Sequence, residues 1–237
     1  MNNLWSNACR DIRFMLKYWS INVTIPKGAS FTNREYNRLI WISPILLKVH
    51  EKLVCHKLFP FCEKYVYFSY RKGLGCSDAL LTISHHLHQS FDTGMGSYIL
   101  QLDFSAAFDI VSHNGLWFKL KSIGVGASVL SVCREFLSDR RQRVVVDGAT
   151  SEWIPIVSGM LQGSVLGHLL FIFYSSQMFE LVENRLYANA DDSTLLAVVR
   201  KPADRPAIAL SLNRDLSRIQ EWCNHRCKIL NLNKTRL

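Results

Sequence analysis

Three aspartates mark the chemistry this sequence could perform. Asp191 and Asp192 are the only charged residues in "LYANADDSTLLA" (186–197), and Asp103 stands near the end of a second apolar stretch, "SYILQLDF" (97–104). Charged side chains are seldom fully buried unless something compensates them, so a pair set between core-like segments asks for a partner. "SYILQLDF" reads as a strand ending at Asp103, and "LYANADDSTLLA" as part of a hairpin with Asp191 and Asp192 at its tip. If these strands are neighbours, three carboxylates meet at one small site and repel strongly unless cations or protons offset them. Mg²⁺ is a hard cation that takes oxygen ligands, commonly one or two carboxylates with waters and substrate phosphates. Two such ions roughly 3.5–4 Å apart stabilise the attacking and leaving oxygens of an in-line displacement, the chemistry of phosphoryl transfer. Taken alone, the acidic pair also fits a plain polar turn, where aspartate is common.

The elements that would carry these residues follow from local pattern. "SPILLKVHEKLVCHKLFPF" (43–61) predicts a helix with an apolar face of Ile45, Leu46, Val49, Leu53 and Val54, and Lys48, Lys52 and Lys57 on the other face. "RKGLG" (71–75) reads as a basic loop, and "CSDALLTISHHLHQSFDTG" (76–94) as a helix capped by Ser77 and stopped at Gly94. Two helices are predicted in "GLWFKLKSIGV" and "SVLSVCREFLSDR", then a hairpin in "QRVVVDGATSEWIPIVSG" around "DGAT". "RPAIALSLNRDLSRIQEWCNHRC" (205–227) is amphipathic through Ile208, Leu212, Leu216, Ile219 and Cys223, and "KILNLNKTRL" begins a last strand.

Composition bounds the class. The chain has 237 residues, 49% of them hydrophobic, which excludes disorder for most of its length. Its net charge of +9 suits a polyanionic partner. Seven cysteines at irregular spacing, with no secretory signal before them, point to reduced thiols in the cytoplasm or nucleus rather than secretion. From Trp153 to Phe179 the only ionisable side chain is His168, and Gly159, Gly163 and Gly167 repeat at four-residue intervals, a pattern that also fits a self-associating membrane helix. Pro155, Ser158, Gln162, Ser164 and His168 inside the span, and the absence of flanking basic clusters, argue against membrane insertion. "HHLH" (85–88) and "CNHRC" (223–227) hold metal-capable side chains, but no second pair completes a zinc site. Surface histidines and helix-packing cysteines are the expectation there.

Read in order, "LDFSAAFD" (102–109), "SGMLQGSVLG" (158–167), "ADDSTLLA" (190–197) and "LNLNKT" (230–235) resemble the reverse transcriptase domain of non-LTR retrotransposons, especially the jockey-like elements of arthropods. The resemblance implies an α+β right-hand polymerase fold of fingers and palm. A small antiparallel palm sheet would carry Asp103, Asp191 and Asp192, backed by helices that include 208–227. Residues 1–35 would be a poorly defined lead-in and 36–237 the fingers–palm domain, ending before the thumb and lacking an upstream endonuclease. The implied activity is RNA-directed DNA polymerisation with two Mg²⁺ ions, Mn²⁺ being an alternative. The implied partners are an RNA template, a DNA primer and deoxynucleoside triphosphates.

Roles carry over residue by residue. Asp103 and Asp191 would hold the metals, with Asp192 assisting. Phe108 would crowd a ribose 2′-OH, although an ordinary core aromatic is the alternative. Gln162 and Gly163 would form the floor beneath the incoming nucleotide, glycine letting the main chain approach closely. Arg38 would bind triphosphate and Lys234 would protonate the pyrophosphate leaving group; both also fit solvated surface residues. Arg71 and Lys72 would contact template phosphates, or simply decorate a loop. The chain departs from the family at Asn189, where a tyrosine usually supports the primer end, and at Leu39, Leu161 and His168, which replace prolines. Two states therefore stay open, an active polymerase or a catalytically inactive nucleic-acid-binding remnant.

The charge of +9 and the loop "YRKG" lead to a first expected outcome. A labelled primer–template should bind with little sequence preference and with affinity that falls as salt rises. Titrations at several salt concentrations check this, and an affinity indifferent to salt would contradict it.

Overall fold

The structure is a computed structural model. It describes residues 21–26, 37–62, 73–94, 96–105, 107–109, 111–143, 145–146, 149–189, 192–225 and 229–230. In chain order the elements are β1 (Ile21–Pro26), β2 (Asn37–Ile42), α1 (Ile45–Cys62), α2 (Cys76–Asp92), β3 (Gly96–Leu102), β4 (Phe104–Ser105), α3 (His113–Ser122) and α4 (Ala127–Leu137). Four two-residue strands follow: β5 (Arg141–Gln142), β6 (Val145–Val146), β7 (Ala149–Thr150) and β8 (Ile154–Pro155). The chain continues through α5 (Val165–Ser175), α6 (Met178–Leu181), β9 (Arg185–Asn189), β10 (Asp192–Val199), α7 (Arg205–His225) and β11 (Ile229–Leu230). These elements fall into two compact units, Met1–Phe61 with Ser112–Phe171, and Cys62–Val111 with Ile172–Leu237.

In the first unit β1 pairs antiparallel with β2, β5 with β8, and β6 with β7, the last forming the hairpin expected around "DGAT". Its core includes Trp41, Leu47, Val54, Leu58, Leu116, Leu120, Phe136 and Leu170, all buried. Helix α1 forms where its pattern predicts one, but it buries a different stripe. Ile45 is 81% exposed and Leu46 68%, and Val49 and Leu53 are also exposed. The buried positions are Leu47, Glu51, Val54 and Leu58, a 4-3-4 spacing that a carboxylate interrupts. Sequence pattern favoured the apolar alternative because nothing local discloses that Glu51 has a buried partner.

The second unit is built on a three-stranded antiparallel sheet in the order β3-β10-β9. Strand β10 is central, and from Ser193 to Val199 every residue is buried or half-buried. Leu195, Leu196, Ala197 and Val199 account for much of that burial, and a fully buried leucine or valine side chain contributes about 1.5–3 kcal/mol. Helix α7 buries Leu212, Ile219, Trp222 and Cys223 as its periodicity implies, and also Asp215, on the same stripe. The Asp215 carboxylate accepts from the Glu183 amide (2.9 Å), the Asn184 amide (3.0 Å) and Asn184 Nδ2 (2.7 Å). It thereby ties the lead into β9 to α7. Helix α2 begins after Gly75, whose amide donates to Asp78 Oδ2 at 2.7 Å, so the cap lies two residues before the expected Ser77. Ser77 is already inside the first turn.

Two expected outcomes follow from this packing. Asp215→Ala leaves several donors without an acceptor, each costing about 1–3 kcal/mol, so the loss of stability should be roughly 2–4 kcal/mol. Urea unfolding of the variant measures it. Gly163 and Gly94 both have positive φ, +96° and +67°, but only Gly163 lacks space: an added Cβ would lie 2.7 Å from the Trp41 carbonyl, while nothing lies within 4 Å at Gly94. Gly94→Ala should cost about 1–2 kcal/mol for the backbone conformation alone. Gly163→Ala should cost about twice that or more in the same assay.

Candidate active site

The acidic end of the three-stranded sheet comes first. Strand β10 runs antiparallel to β3 with Ser193 opposite Leu102, and antiparallel to β9 with Asp192 opposite Asn189. The β3–β10 pairing ends at Leu102 opposite Ser193, so Asp103 and Asp192 are the next residues of the two chain segments. Asp103 is half-buried and Asp192 exposed. Only Ala190 and Asp191 lie between the paired Asn189 and Asp192, and both fall outside the described residues. A pair of carboxylates at the end of a sheet, with no nitrogen or sulfur donor in the set, suits a hard divalent cation. Among the described residues no group of three His, Cys, Asp or Glu side chains converges to hold a metal.

Just past Asp103 the chain pairs again, Phe104 with Leu230 and Ser105 with Ile229. Phe108 is half-buried in a turn at 107–109. Lys234, Arg71 and Lys72 lie outside the described residues, and so does the side chain of Arg38, whose backbone pairs with Ile25 in the β1–β2 hairpin.

The second group of expected residues belongs to the first unit and sits between β2 and α5. Gln162 and Gly163 form a turn, and α5 begins only at Val165. Gly159, Gly163 and Gly167 therefore do not share one helix, which removes the membrane-dimer reading of their spacing. No helix among the described residues is long and apolar enough to cross a membrane. The Trp41 amide donates to the Gln162 carbonyl at 2.7 Å. Ser164 Oγ donates to the Leu161 carbonyl (2.8 Å) and accepts from the Gly167 amide (3.0 Å). A Cβ at Gly167 would collide with that hydroxyl and that carbonyl. His168 Nδ1 lies 2.7 Å from the Ser164 carbonyl, and burial lowers the imidazole pKa, the bond to Ser164 opposing it.

One residue that sequence reasoning did not single out completes this turn. Glu51 Oε2 accepts from the amides of Val165 (2.6 Å) and Leu166 (3.0 Å), the first donors of α5. The carboxyl is 1% exposed. Burial pushes its pKa up, while the two amides and the charges of Arg140 and Lys48 pull it down. Arg140 is itself buried. Its guanidinium lies 4.5 Å from the Trp41 ring centroid and 4.8 Å from that of Phe136, and its Nε donates to the Phe136 carbonyl at 2.5 Å. Burial brings its pKa down to about 9, with Glu51 acting in the opposite sense, so it remains a cation at neutral pH. The signal in the sequence was a lone acid on the 47/51/54/58 stripe.

The tempting metal-capable clusters behave as packing or surface. Cys223 is buried in α7, and His85 and His88 are exposed. His86 lies against Arg185, whose Nη1 is 2.8 Å from Nδ1. Among the described residues Cys55, Cys76, Cys133 and Cys223 form no disulfide.

Comparison with known proteins identifies the family. Residues 25–237 match the family model described as reverse transcriptase (RNA-dependent DNA polymerase). The RNA-directed DNA polymerase from mobile element jockey of Drosophila melanogaster is 28% identical over 92% of this chain and 25% of its own length. The probable RNA-directed DNA polymerase from transposon BS of the same species is 28% identical over 97% of this chain and 27% of its own. The chain thus spans about a quarter of the length of the curated relatives it matches. Among solved structures, telomerase from Candida albicans in complex with a fragment of telomeric RNA superposes with a TM-score of 0.64 at 17% identity, covering 92% of this chain and 42% of that one. Apo telomerase from Candida tropicalis truncated from its C-terminal domain gives 0.63 at 16% identity, covering 94% of this chain and 50% of that one. The expected α+β architecture, with a small antiparallel sheet and helices, is the one observed, and the chain belongs to the reverse transcriptase family, its relatives being polymerases of non-LTR mobile elements.

Proposed function

We propose that this chain performs RNA-directed DNA polymerisation, adding deoxynucleotides to a primer 3′-OH opposite an RNA template. The observation that supports it most is the pairing of β3 with β10, which ends at Leu102 opposite Ser193 and leaves Asp103 and Asp192 as the next residues of the two chain segments. Asp103 and Asp191, with Asp192 assisting, would hold two Mg²⁺ ions, or Mn²⁺ in their place. When bound, such ions neutralise charge developing on the attacking and leaving oxygens. The chain's own groups supply the rest. Gln162 and Gly163 present a main-chain floor to the incoming nucleotide, and the Phe108 ring excludes a ribose 2′-OH. Arg38 engages the triphosphate, Lys234 supplies a proton to pyrophosphate, and Arg71 with Lys72 hold template phosphates through charge. The template, primer and deoxynucleoside triphosphates are the partners this reading requires.

Primer extension by the purified chain on an RNA template with Mg²⁺ is the test. Asp103→Asn should lower extension by on the order of a hundredfold or more while leaving the fold intact. Extension that persists in Asp191→Ala would show that the chemistry happens elsewhere. Asn189 pairs directly with Asp192 and takes the place of a large aromatic support. A displacement of about 1 Å at a reacting centre costs on the order of a hundredfold in rate. The unaltered chain should therefore bind Mg²⁺ but extend weakly or not at all, and Asn189→Tyr should raise extension measurably. Vigorous extension without that change would mean the aromatic contact matters little here.

A further inference from the structure

The Gln162–Gly163 turn is held from three directions, all within the first unit. The Trp41 amide takes the Gln162 carbonyl at 2.7 Å, and β2 lies so close to Gly163 that no Cβ fits between them. Those two grips are main-chain and survive most side-chain changes. The third is a single carboxylate: Glu51 Oε2 receives the Val165 and Leu166 amides at 2.6 and 3.0 Å from a helix 114 residues upstream.

That third grip is an unusual way to start a helix. A local Ser, Thr, Asp or Asn satisfies the first amides with side chains that stay near water. Ser164 Oγ makes that ordinary bond to the Gly167 amide, and the two amides before it are taken by Glu51 in addition. Glu51 sits where its neighbours on the α1 stripe, Leu47, Val54 and Leu58, are fully buried hydrophobes. A leucine there would fill the space without the desolvation a carboxylate suffers. Its other oxygen, Oε1, has no hydrogen bond, and neither do Nη1 and Nη2 of Arg140, whose charge faces it through the same interior. What the carboxylate achieves is a rigid link from α1 to the first turn of α5. That link fixes the two residues just before it against β2.

We propose that Glu51 is a positioning residue for nucleotide binding, its carboxylate setting the Gln162–Gly163 turn by holding the first amides of α5. This rests on the reading of that turn as the floor beneath the incoming nucleotide. Glu51 touches no substrate; it acts through the turn, so its removal changes how well the nucleotide is seated more than the rate once it is seated.

The experiment compares the unaltered 237-residue chain with Glu51→Leu, Glu51→Gln and Glu51→Asp. Three readings are taken on each: primer extension against deoxynucleotide concentration, hydrogen exchange at the Val165 and Leu166 amides, and urea unfolding. Glu51→Leu is expected to raise KM for deoxynucleotide roughly tenfold or more, to change kcat by less than about threefold, and to free both amides to exchange. Glu51→Gln keeps an acceptor of the same reach and should restore both KM and protection. If Glu51→Leu does not fold, Glu51→Asp, one methylene shorter, carries the test with an intermediate KM. An unchanged KM with both amides freed overturns the proposal. So does a loss of activity that merely follows the unfolded fraction, or protection that persists in Glu51→Leu. Where the unaltered chain extends too little to measure, the comparison is made in the Asn189→Tyr background; if that chain extends nothing while Glu51→Leu still frees the two amides, the cap stands but the nucleotide reading fails, and the positioning role falls with it.

Discussion

The register of β10 between β3 and β9 is the constraint on which the acidic end of the second unit depends. Side chains in a strand alternate between faces, so a slip of one residue would exchange the two covered faces of β10 and break the fit of each to its neighbours. Burial from Ser193 to Val199 makes such a slip expensive. The same burial explains why Asp192 is tolerated: it is the exposed first residue of a strand whose remainder is core. The hydrophobic interior thus fixes where the carboxylates stand, without touching them.

A second device recurs in both units. Each contains a carboxylate on the apolar stripe of a helix, facing the amides that open another segment. Glu51 on α1 meets the start of α5, and Asp215 on α7 meets the residues before β9. Buried amides must find acceptors, and an ionised acceptor makes a stronger bond than a neutral one. Around Asp215 the arrangement is extended to the surface, where Arg214 and Arg218 bond Glu183 at 3.2 and 2.9 Å and hold its carboxyl below the usual range. Around Glu51 it is extended inward, to Arg140 and the rings of Trp41 and Phe136.

How much could be read from the sequence depended on whether the determinant was local. The β9–β10 hairpin, helix α7 and the "DGAT" hairpin all follow from alternation, periodicity or glycine, and each lies where those signals put it. The choice of buried face on α1 did not follow, because two stripes competed and the more apolar one, through Ile45, Leu46 and Val49, was the wrong one. The winner contains an acid whose partners are 114 and 115 residues away, a distance over which pattern carries no information. Asp215 was hidden for the same reason, with partners 31 and 32 residues upstream. In each case the residue type argued for the surface and a remote pair of amides argued for the interior.

The discontinuous make-up of the two units has a consequence for how the chain is born. The first unit needs residues up to Phe171 before it can close, and the second needs β11 to pair with β4. Glu51 leaves the ribosome 115 residues before Leu166 does. At about 5–20 residues per second that is an interval of roughly 6–23 s. Through that interval the Glu51 carboxylate has neither of its two amides. A carboxylate in the middle of the stripe of Leu47, Val54 and Leu58 keeps the nascent helix less sticky than a leucine would, in the manner of a gatekeeper flanking an unavoidable apolar segment. Once α5 arrives, the same charge finds its two amides, so one side chain guards the unfinished chain and then locks the finished one.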